Sequence, residues 1–322
     1  MKRSELIGSS IVLVLLVFVP WLSPLAHVDL STFSEVLLIA IAAMSVNLLL
    51  GYTGLPAFGN AAYFGLGAYG AGLSAQYFHV DFIVAVLIGT VSGFLGAVIL
   101  GPFLLRRRGI YFGLLSIAFG EIFYFIAYRY TDVTGGEDGM TLTRPVVGIG
   151  HIVIKELSFY YIALAVFVIA LIVFRAIVRS PFGRTLVAIR QNEVRVRYLG
   201  LNSDRFIFVA LLISATMAGV SGALFGLKLN IVYPLQLDWH QSGDFVLMMI
   251  IGGGGTLWGP LLGSFIYVIG KDIISTMTPL WPIFLGGLFI ACVLGFPRGI
   301  LGTIEATLNR RRAQTVSDDV DV

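Results

Sequence analysis

Apolar runs of about twenty residues recur along almost the whole sequence, and they restrict the fold more than any other feature. Runs of this length suit helices that cross a bilayer, because a helix satisfies all its backbone hydrogen bonds inside lipid. The eighth and tenth runs are short enough to be half-crossings. The runs cover residues 6–26, 35–51, 60–78, 82–104, 110–129, 158–178, 206–228, 242–253, 260–275 and 283–297. The sequence predicts an all-α polytopic membrane protein, a bundle of about 8–10 transmembrane helices with glycine-broken segments.

Composition excludes the soluble classes of protein. Hydrophobic residues make up 57% of the chain and charged residues 12%, which no water-soluble domain tolerates. The net charge is only +3, and the basic residues flank apolar runs, so a nucleic-acid partner is not expected. The single cysteine, Cys292, lies inside an apolar run, so neither a disulfide framework nor a metal cluster is expected.

The basic residues also predict the orientation of the chain. When the N-terminus is placed inside and the segments alternate, most of the 21 lysines and arginines fall on the inner side. Arg106–Arg108 and Arg310–Arg312 are among them, as the positive-inside rule requires. We therefore expect a multi-pass protein with both termini in the cytoplasm. Residues 1–309 should form one transmembrane domain, and residues 310–322 a short cytoplasmic tail without order.

The stretch from Ser180 to Asn202, called the Ser180 segment below, is charged although long apolar runs flank it on both sides. Ser180 can cap a helix, Pro181 suits the first helical position, and Gly200 suits the turn that ends one. The segment is therefore predicted to be an amphipathic helix on the cytoplasmic side. It is either a docking surface for a partner or a solvated loop helix.

Two glycine-rich stretches interrupt the apolar pattern, one in each half of the chain. They are Gly51–Gly59, which contains Pro56, and Gly252–Gly263. Irregular backbone at membrane depth is tolerated only where it is buried in protein or lines a cavity. Paired interruptions of this kind indicate a transport pathway, although two plain cytoplasmic turns are an equal alternative.

Polar residues inside the apolar runs are candidates for contact with a transported solute. Glu121 lies midway along the fifth run, where a carboxylate is costly, so it either lines the path or bonds to a neighbouring helix. Ser116 lies in the same run, and Ser45 and Asn47 lie at the end of the second. Asn47 is the one for which a helix–helix hydrogen bond is the favoured alternative.

The chain carries no motif with which to hydrolyse a nucleotide. The nearest string to a phosphate-binding loop, Gly270-Lys271-Asp272, lacks the hydroxyl that would hold magnesium. No catalytic residue and no bound cofactor are therefore expected. Active transport would need an ion gradient or a partner that hydrolyses ATP.

Five motifs in order resemble a known family, the LivM-type permease of bacterial branched-chain amino acid ABC transporters. They are NLLLGYTGLPAFGNAAYFGLGAYGA (Asn47–Ala71), RGIYFGLLSIAFGEI (Arg108–Ile122), VTGGEDGM (Val133–Met140), SPFGRTLVAIRQNEVRVRYLGLN (Ser180–Asn202) and GGGGTLWGPLLG (Gly252–Gly263). The resemblance covers nearly the whole chain from the second run onward.

This resemblance implies an importer in the bacterial inner membrane. Its parts would be a hetero-dimer of this chain with a second permease, two cytoplasmic ATP-binding subunits that carry the ATP, and a periplasmic substrate-binding protein. Residues 180–200 would be the cytoplasmic coupling helix that contacts the ATP-binding subunits. Of the general importer signature only Gly200 is present, so the contacts within the helix are open. The coupling residues are expected to be Pro181, Phe182, Arg184, Arg190, Glu193, Arg195 and Gly200.

Two alternatives remain open at the level of the sequence. A permease for urea or short amides would look alike, because substrate choice in such systems lies largely in the binding protein. An ion-coupled secondary transporter is the less favoured alternative, with Glu121 as its proton site.

Overall fold

A computed structural model describes residues 12–21, 29–56, 58–142, 148–149, 152–153, 155–296 and 299–303. The predicted tail, 310–322, and both ends of the first predicted run therefore lie outside the described residues. Elsewhere the chain is predominantly helical. The expectation of an all-α polytopic protein is confirmed.

The helices follow one another along the chain, and the longest connection between them separates α6 from α7. They are α1 (Val12–Trp21), α2 (Leu30–Val46), α3 (Asn60–Phe78), α4 (Phe82–Leu104), α5 (Ile110–Arg129), α6 (Thr131–Thr134), α7 (Glu156–Arg179), α8 (Pro181–Tyr198), α9 (Ser203–Leu229), α10 (Trp239–Gly252), α11 (Gly259–Met277) and α12 (Trp281–Gly295). Four two-residue strands complete the described structure: β1 (Met140–Thr141), β2 (Gly148–Ile149), β3 (Ile152–Val153) and β4 (Ile231–Val232).

Five helical stretches within the described residues are long and apolar enough to cross a membrane. They are Leu30–Thr53, Phe82–Leu104, Ile110–Arg129, Glu156–Arg179 and Ser203–Leu229. Helix α10 has 14 residues and rises only about 21 Å, less than the roughly 30 Å of the hydrocarbon core, and the half-crossing considered for the eighth run stays a prediction. Whether the shorter helices also cross the membrane, to give the predicted total of 8–10 crossings, stays a prediction.

Both glycine-broken segments exist, but they are shorter than predicted. The backbone of α2 continues as a π-helix over Asn47–Thr53 and leaves the helix at Gly54, whose φ is 78°. The Thr53 hydroxyl donates to the carbonyl of Leu48 at 2.9 Å and supports this last turn. In the second segment α10 ends at Gly252 and α11 begins at Gly259, so the interruption covers residues 253–258 alone.

Glycines bring the helices into backbone contact at two seams. A Cβ on Gly222 of α9 would lie 1.8 Å from the carbonyl oxygen of Phe64 on α3. At the seam of α10 and α11, a Cβ on Gly263 would lie 1.7 Å from the carbonyl oxygen of Met248. These contacts bring the helix backbones close together, and α2 lies at the centre with most of its length buried.

The connections divide into two groups at opposite ends of the bundle. At one end β1 pairs antiparallel with β4, which joins the connection after α5 to the connection after α9. At the other end lie α8, the α4–α5 turn and the interruptions at 54–59 and 253–258. This second group is called the α8 end below, and it holds the candidate site.

Candidate functional site

The Ser180 segment forms α8, with the predicted start. Ser180 accepts a hydrogen bond from the backbone nitrogen of Gly183 at 3.3 Å, and Pro181 occupies the first helical position. The predicted helix is present, but it is interrupted at Asn192, which is extended, with φ −163° and ψ 97°. Its side-chain oxygen accepts from the nitrogen of Arg195 at 2.9 Å and caps a second short helix. Helix α8 therefore consists of two halves that meet at Asn192.

The second half ends in a paired-hydrogen-bond turn. The nitrogen of Gly200 donates to the carbonyl of Arg197 at 2.9 Å, and that of Leu201 to Val196 at 3.4 Å. This is the Schellman pattern, and the φ of 81° at Gly200 is the left-handed value that it requires. The predicted end of the segment is confirmed.

One face of α8 packs on the bundle and another is exposed. Leu186 and Ile189 are buried, and the ring of Phe182 stacks on Phe206 of α9 with centroids 5.7 Å apart. On the exposed face lie both Arg184 and Arg195. Large apolar side chains share this exposure: Val187, Val194, Tyr198 and Leu199. The exposed fraction of Tyr198 is 87%. So much exposure is unusual for an aromatic ring unless a partner protein covers it.

The first half of α8 contacts the end of the π-helix. The guanidinium of Arg190 donates to the carbonyl oxygen of Gly51. A Cβ on Gly54 would lie 2.8 Å from Cγ of Arg190, so the arginine stem lies directly against this turn. Arg190 was expected among the coupling residues; its guanidinium contacts the first glycine-broken segment, although the residue itself is exposed.

Asn47 joins the two glycine-broken segments. Its Nδ2 donates to the carbonyl of Thr256 at 2.8 Å, and its Oδ1 accepts from the nitrogen of Gly255 at 2.8 Å. Gly51 makes room for this pair, because a Cβ there would lie 2.0 Å from Oδ1 of Asn47. Asn47 is fully buried, and its partners are backbone groups of a loop, so the helix–helix hydrogen bond favoured for it is replaced by a helix–loop contact.

A cavity of about 540 Å³ lies beside this junction. Its lining includes Gly51 and Arg190 from one side and Met249, Ile250 and Gly254 from the other. Glycine-rich backbone and one arginine therefore line an open space at the α8 end. Irregular backbone at membrane depth is found where it lines such a space.

The second half of α8 is held by an ion-pair cluster. Oε1 of Glu193 lies 3.1 Å from Nε of Arg108 and 2.7 Å from a guanidinium nitrogen of Arg197, and it accepts from the Ser203 hydroxyl at 2.9 Å. Asp204 also pairs with Arg108. Burial raises the pKa of Glu193, but the hydrogen bonds from Ser203 and Arg108 outweigh it and hold the pKa below its ordinary value. Glu193, like Arg190, is thus engaged within the chain.

Ser45 lies in a buried network among three helices. Its hydroxyl donates to the carbonyl of Ala42 at 2.6 Å and accepts from Nδ2 of Asn60 at 2.9 Å. Asn60 also donates to the hydroxyl of Ser214 at 3.0 Å. The network links α2, α3 and α9, and contact of Ser45 with a solute stays a prediction.

Ser116 and Glu121 lie on α5, and their neighbours differ. The hydroxyl of Ser116 donates to the carbonyl of Gly113, and the side chain is buried against Gly59. Oε1 of Glu121 accepts from the backbone nitrogen of Trp239 at 3.2 Å, the first residue of α10. A carboxylate at a helix N-terminus is stabilised by the helix dipole, so this position makes the charge less costly than a lone mid-membrane glutamate. Whether either side chain lines the path stays a prediction.

Sequence reasoning missed Asn60, Arg108 and Asp204. Asn60 follows a glycine at the start of an apolar run, and a polar amide there was the one available signal. The pairing of Arg108 with Asp204 joins residues 96 positions apart, and no local pattern announces it. Among the described residues, no group of histidine, cysteine, aspartate or glutamate is arranged to hold a metal ion.

Comparison with known proteins gives a family for this chain. The sequence profile described as branched-chain amino acid transport system / permease component matches residues 30–293. No solved structure matches the chain with statistical significance.

Curated relatives match at similar levels of identity. The high-affinity branched-chain amino acid transport system permease protein LivM of Salmonella typhimurium is 27% identical over 94% of this chain and 76% of the relative. The LivM protein of Escherichia coli K12 is 27% identical over 90% of this chain and 73% of the relative. The LivH permease of the same organism is 29% identical over 39% of this chain and 41% of the relative.

Proposed function

The chain belongs to the family of permease components of branched-chain amino acid transport systems, and from this premise we propose that it is the LivM-type subunit of an ABC importer. It forms the translocation path for branched-chain or related hydrophobic amino acids together with a second, LivH-type permease. Two cytoplasmic ATP-binding subunits drive the movement, and a periplasmic binding protein delivers the substrate. The chain itself is a transport subunit of the bacterial inner membrane and performs no chemical reaction.

The single observation that carries the proposal is the arrangement of α8. Its inner face is packed on α9 and its outer face exposes Val194, Tyr198 and Leu199 beside Arg184 and Arg195. Apolar side chains in water beside charges are typical of a surface that a protein partner covers. In an ABC importer, the partners expected to cover this surface of α8 are the ATP-binding subunits.

A route from this surface into the bundle supports the mechanism. Arg190 contacts Gly51, and Asn47 contacts Gly255, so displacement of α8 reaches both glycine-broken segments through side chains in direct contact. Closure of the ATP-binding subunits would shift α8 and, with it, the backbone that lines the cavity at the α8 end. ATP binding would then open or close the translocation path at the α8 end.

The opposite end suits the binding protein. There the β1–β4 pair joins two connections, and the 3₁₀ turn Gly136–Asp138 presents Glu137 and Asp138. The positive-inside rule places this end in the periplasm and the arginine-rich α8 end in the cytoplasm.

Co-purification of the assembled importer tests the proposal. The chain is expressed with its second permease and a tagged ATP-binding subunit, and the yield of complex is measured. Arg184→Glu together with Arg195→Glu should remove the complex while the chain remains inserted and folded. The matched control reverses two exposed charges at the opposite end, Arg129→Glu with Lys155→Glu, and should co-purify normally. Retention of the complex by the first variant would contradict the docking role of α8.

Uptake into vesicles separates the substrate classes. Vanadate-sensitive leucine uptake that depends on the soluble binding protein is expected. Uptake of urea or a short amide in place of leucine would favour a different substrate within the same family. Uptake abolished by a protonophore at constant ATP would favour an ion-coupled carrier with Glu121 as proton site.

A further inference from the structure

The cavity beside the Asn47 junction combines apolar side chains with one cationic group. Its volume of about 540 Å³ lies within the range of sites that hold a small molecule. Leu50 lines it from the π-helix, and Met249 and Ile250 line it from α10. These three side chains are called the apolar wall below, and Arg190 of α8 supplies the positive charge. The cavity therefore suits a ligand that has one apolar part and one anionic part.

Glycines form the remainder of the described lining. Gly51 and Gly254 come from the two glycine-broken segments, and Gly299 and Gly302 follow α12. Gly299 has a φ of 71°, and a Cβ on it would lie 2.3 Å from Cα of Gly253, so this stretch packs directly on the backbone that follows α10. A lining without side chains leaves room for a ligand and lets it approach the backbone closely.

Arg190 reaches the cavity from the exposed side of α8. Its guanidinium donates to the carbonyl of Gly51, and Nη1 lies 3.7 Å from the position that a Cβ would take on Gly255. The guanidinium therefore lies between the two glycine-broken segments. A guanidinium can bind a carboxylate through two parallel N–H groups, and this charged pair is stronger than a bond to a neutral carbonyl. A carboxylate in the cavity would therefore compete with Gly51 for Arg190.

We infer that this cavity binds the transported amino acid on the cytoplasmic side of the chain, with the carboxylate on Arg190 and the branched side chain on the apolar wall. The α-ammonium group would stay in water, because the described residues of the lining include no carboxylate to hold it. The Gly51 carbonyl competes for the same guanidinium and keeps the affinity low. A site on an exit route needs such weak binding, since the ligand must leave it.

The two parts of the cavity select against other small molecules. Phosphate or acetate would bond to Arg190 but would leave the apolar wall in water, without the gain from burying apolar surface. An apolar amine would cover the wall but would bring a second positive charge to the guanidinium. A branched-chain amino acid has both the anionic part and the apolar part, and the proposed function brings it to the α8 end.

The inference rests on the proposed function for the identity of the ligand and for the cytoplasmic position of the α8 end. It needs neither the ATP-binding subunits nor the binding protein, so the purified chain alone tests it. Absence of leucine binding with normal co-purification of the importer would overturn the inference and leave the proposed function intact. Leucine binding to a chain that does not co-purify with ATP-binding subunits would do the opposite.

Saturation-transfer NMR of the full chain in lipid nanodiscs, with empty nanodiscs as the blank, measures the binding. Leucine should half-saturate the chain at about 1 mM, as is usual for so small a ligand with one charged contact. The compound 4-methylpentanoate, which lacks only the ammonium group, should bind about as well. Leucinamide, which lacks the carboxylate, and free glycine, which lacks the side chain, should each bind about ten-fold more weakly. Inorganic phosphate should displace leucine poorly.

Two variants locate the binding in this cavity. Arg190→Gln should weaken leucine binding about ten-fold or more, because it removes the charged contact. The matched control, Arg205→Gln, removes an exposed arginine of the same end that does not line the cavity, and should bind as the wild type does. Ile250→Trp keeps the arginine and fills the cavity, so it should also weaken binding, and it carries the test if Arg190→Gln does not fold.

Three results would overturn the inference. They are equal affinity for leucine and leucinamide, displacement of leucine by phosphate as readily as by 4-methylpentanoate, and unchanged leucine binding by both cavity variants.

Discussion

The side-chain oxygen of Asn47 accepts a hydrogen bond of 2.8 Å from the backbone nitrogen of Gly255, 208 positions further along the chain. The other half of the same amide donates to Thr256. One side chain thus satisfies two backbone groups of a glycine-rich loop that has no regular structure of its own.

Removal of this amide should loosen the junction. Asn47→Ala leaves two backbone groups without partners, at about 1–3 kcal/mol each where water cannot reach them. The melting temperature of the purified protein should fall by several degrees. Asn47→Asp should not restore it, because its second oxygen would face the carbonyl oxygen of Thr256 at a buried position. Gln191→Ala, which removes an exposed amide from α8, is the control. An unchanged melting temperature in Asn47→Ala would show that the two hydrogen bonds do not hold the loop.

Arg190 should act in transport and not in docking. Arg190→Ala removes a charge-assisted hydrogen bond to Gly51, worth about 1.5–3 kcal/mol, so uptake should fall about ten-fold or more while the ATP-binding subunits still co-purify. Arg184→Ala, on the exposed face, should reduce co-purification of the ATP-binding subunits, and uptake should fall with it. Full uptake by Arg190→Ala with intact complex would exclude a role for this contact in coupling.

The α3–α9 seam should reject even one methyl group. Gly222→Ala places a Cβ where the carbonyl oxygen of Phe64 lies, so the two helices must separate, at a cost of about 1–3 kcal/mol or more. Gly243→Ala is the matched control on α10, because a Cβ there meets nothing within 4 Å. Thermal denaturation of both variants should separate them clearly. A Gly222→Ala protein as stable as Gly243→Ala would contradict the close approach.

Acid should release the second half of α8. The pKa of Glu193 lies below its ordinary value of 4.5, so the ionised carboxylate stabilises the fold at neutral pH. This contribution is complete above the ordinary pKa and is lost as the pH falls through the lowered one. The melting temperature of Glu193→Gln should therefore lie below that of the wild type at about pH 7. The difference between the two melting temperatures should be smaller at about pH 3.

The control for this titration is Asp132→Asn at the opposite end of the bundle, where the aspartate is exposed. Its melting temperature should follow that of the wild type at every pH. A Glu193→Gln protein whose deficit stayed constant down to the lowest pH would show that packing, and not the ionised carboxylate, holds this half of α8.

Local patterns in the sequence were sufficient for most of the helices. The predicted limits 60–78, 82–104 and 110–129 coincide with α3, α4 and α5, because glycine, proline or charge marks each end. The caps of α8 were also predictable, since Ser180 and Gly200 act through neighbours only a few residues away.

The rest depends on contacts that the local sequence does not contain. The π-helical turn after Val46 could not be predicted, because Gly51 and Gly54 indicate the end of a helix and not its continuation. The extended residue Asn192 was hidden by the helical spacing on both sides of it. Arg190 contacts Gly51 and Glu193 contacts Arg108, 139 and 85 positions away, so a helical wheel could not reveal these contacts.

The extended residue Asn192 divides α8 into two halves with separate contacts. The first half contacts Gly51 through Arg190, and the second contacts the α4–α5 turn and the start of α9 through Glu193. Under the proposed function, a partner that moves the exposed side of α8 would displace both the glycine-broken backbone and the ends of α4, α5 and α9. A continuous helix in the same place would move both regions together. The extended residue Asn192 lets the two halves of α8 move by different amounts.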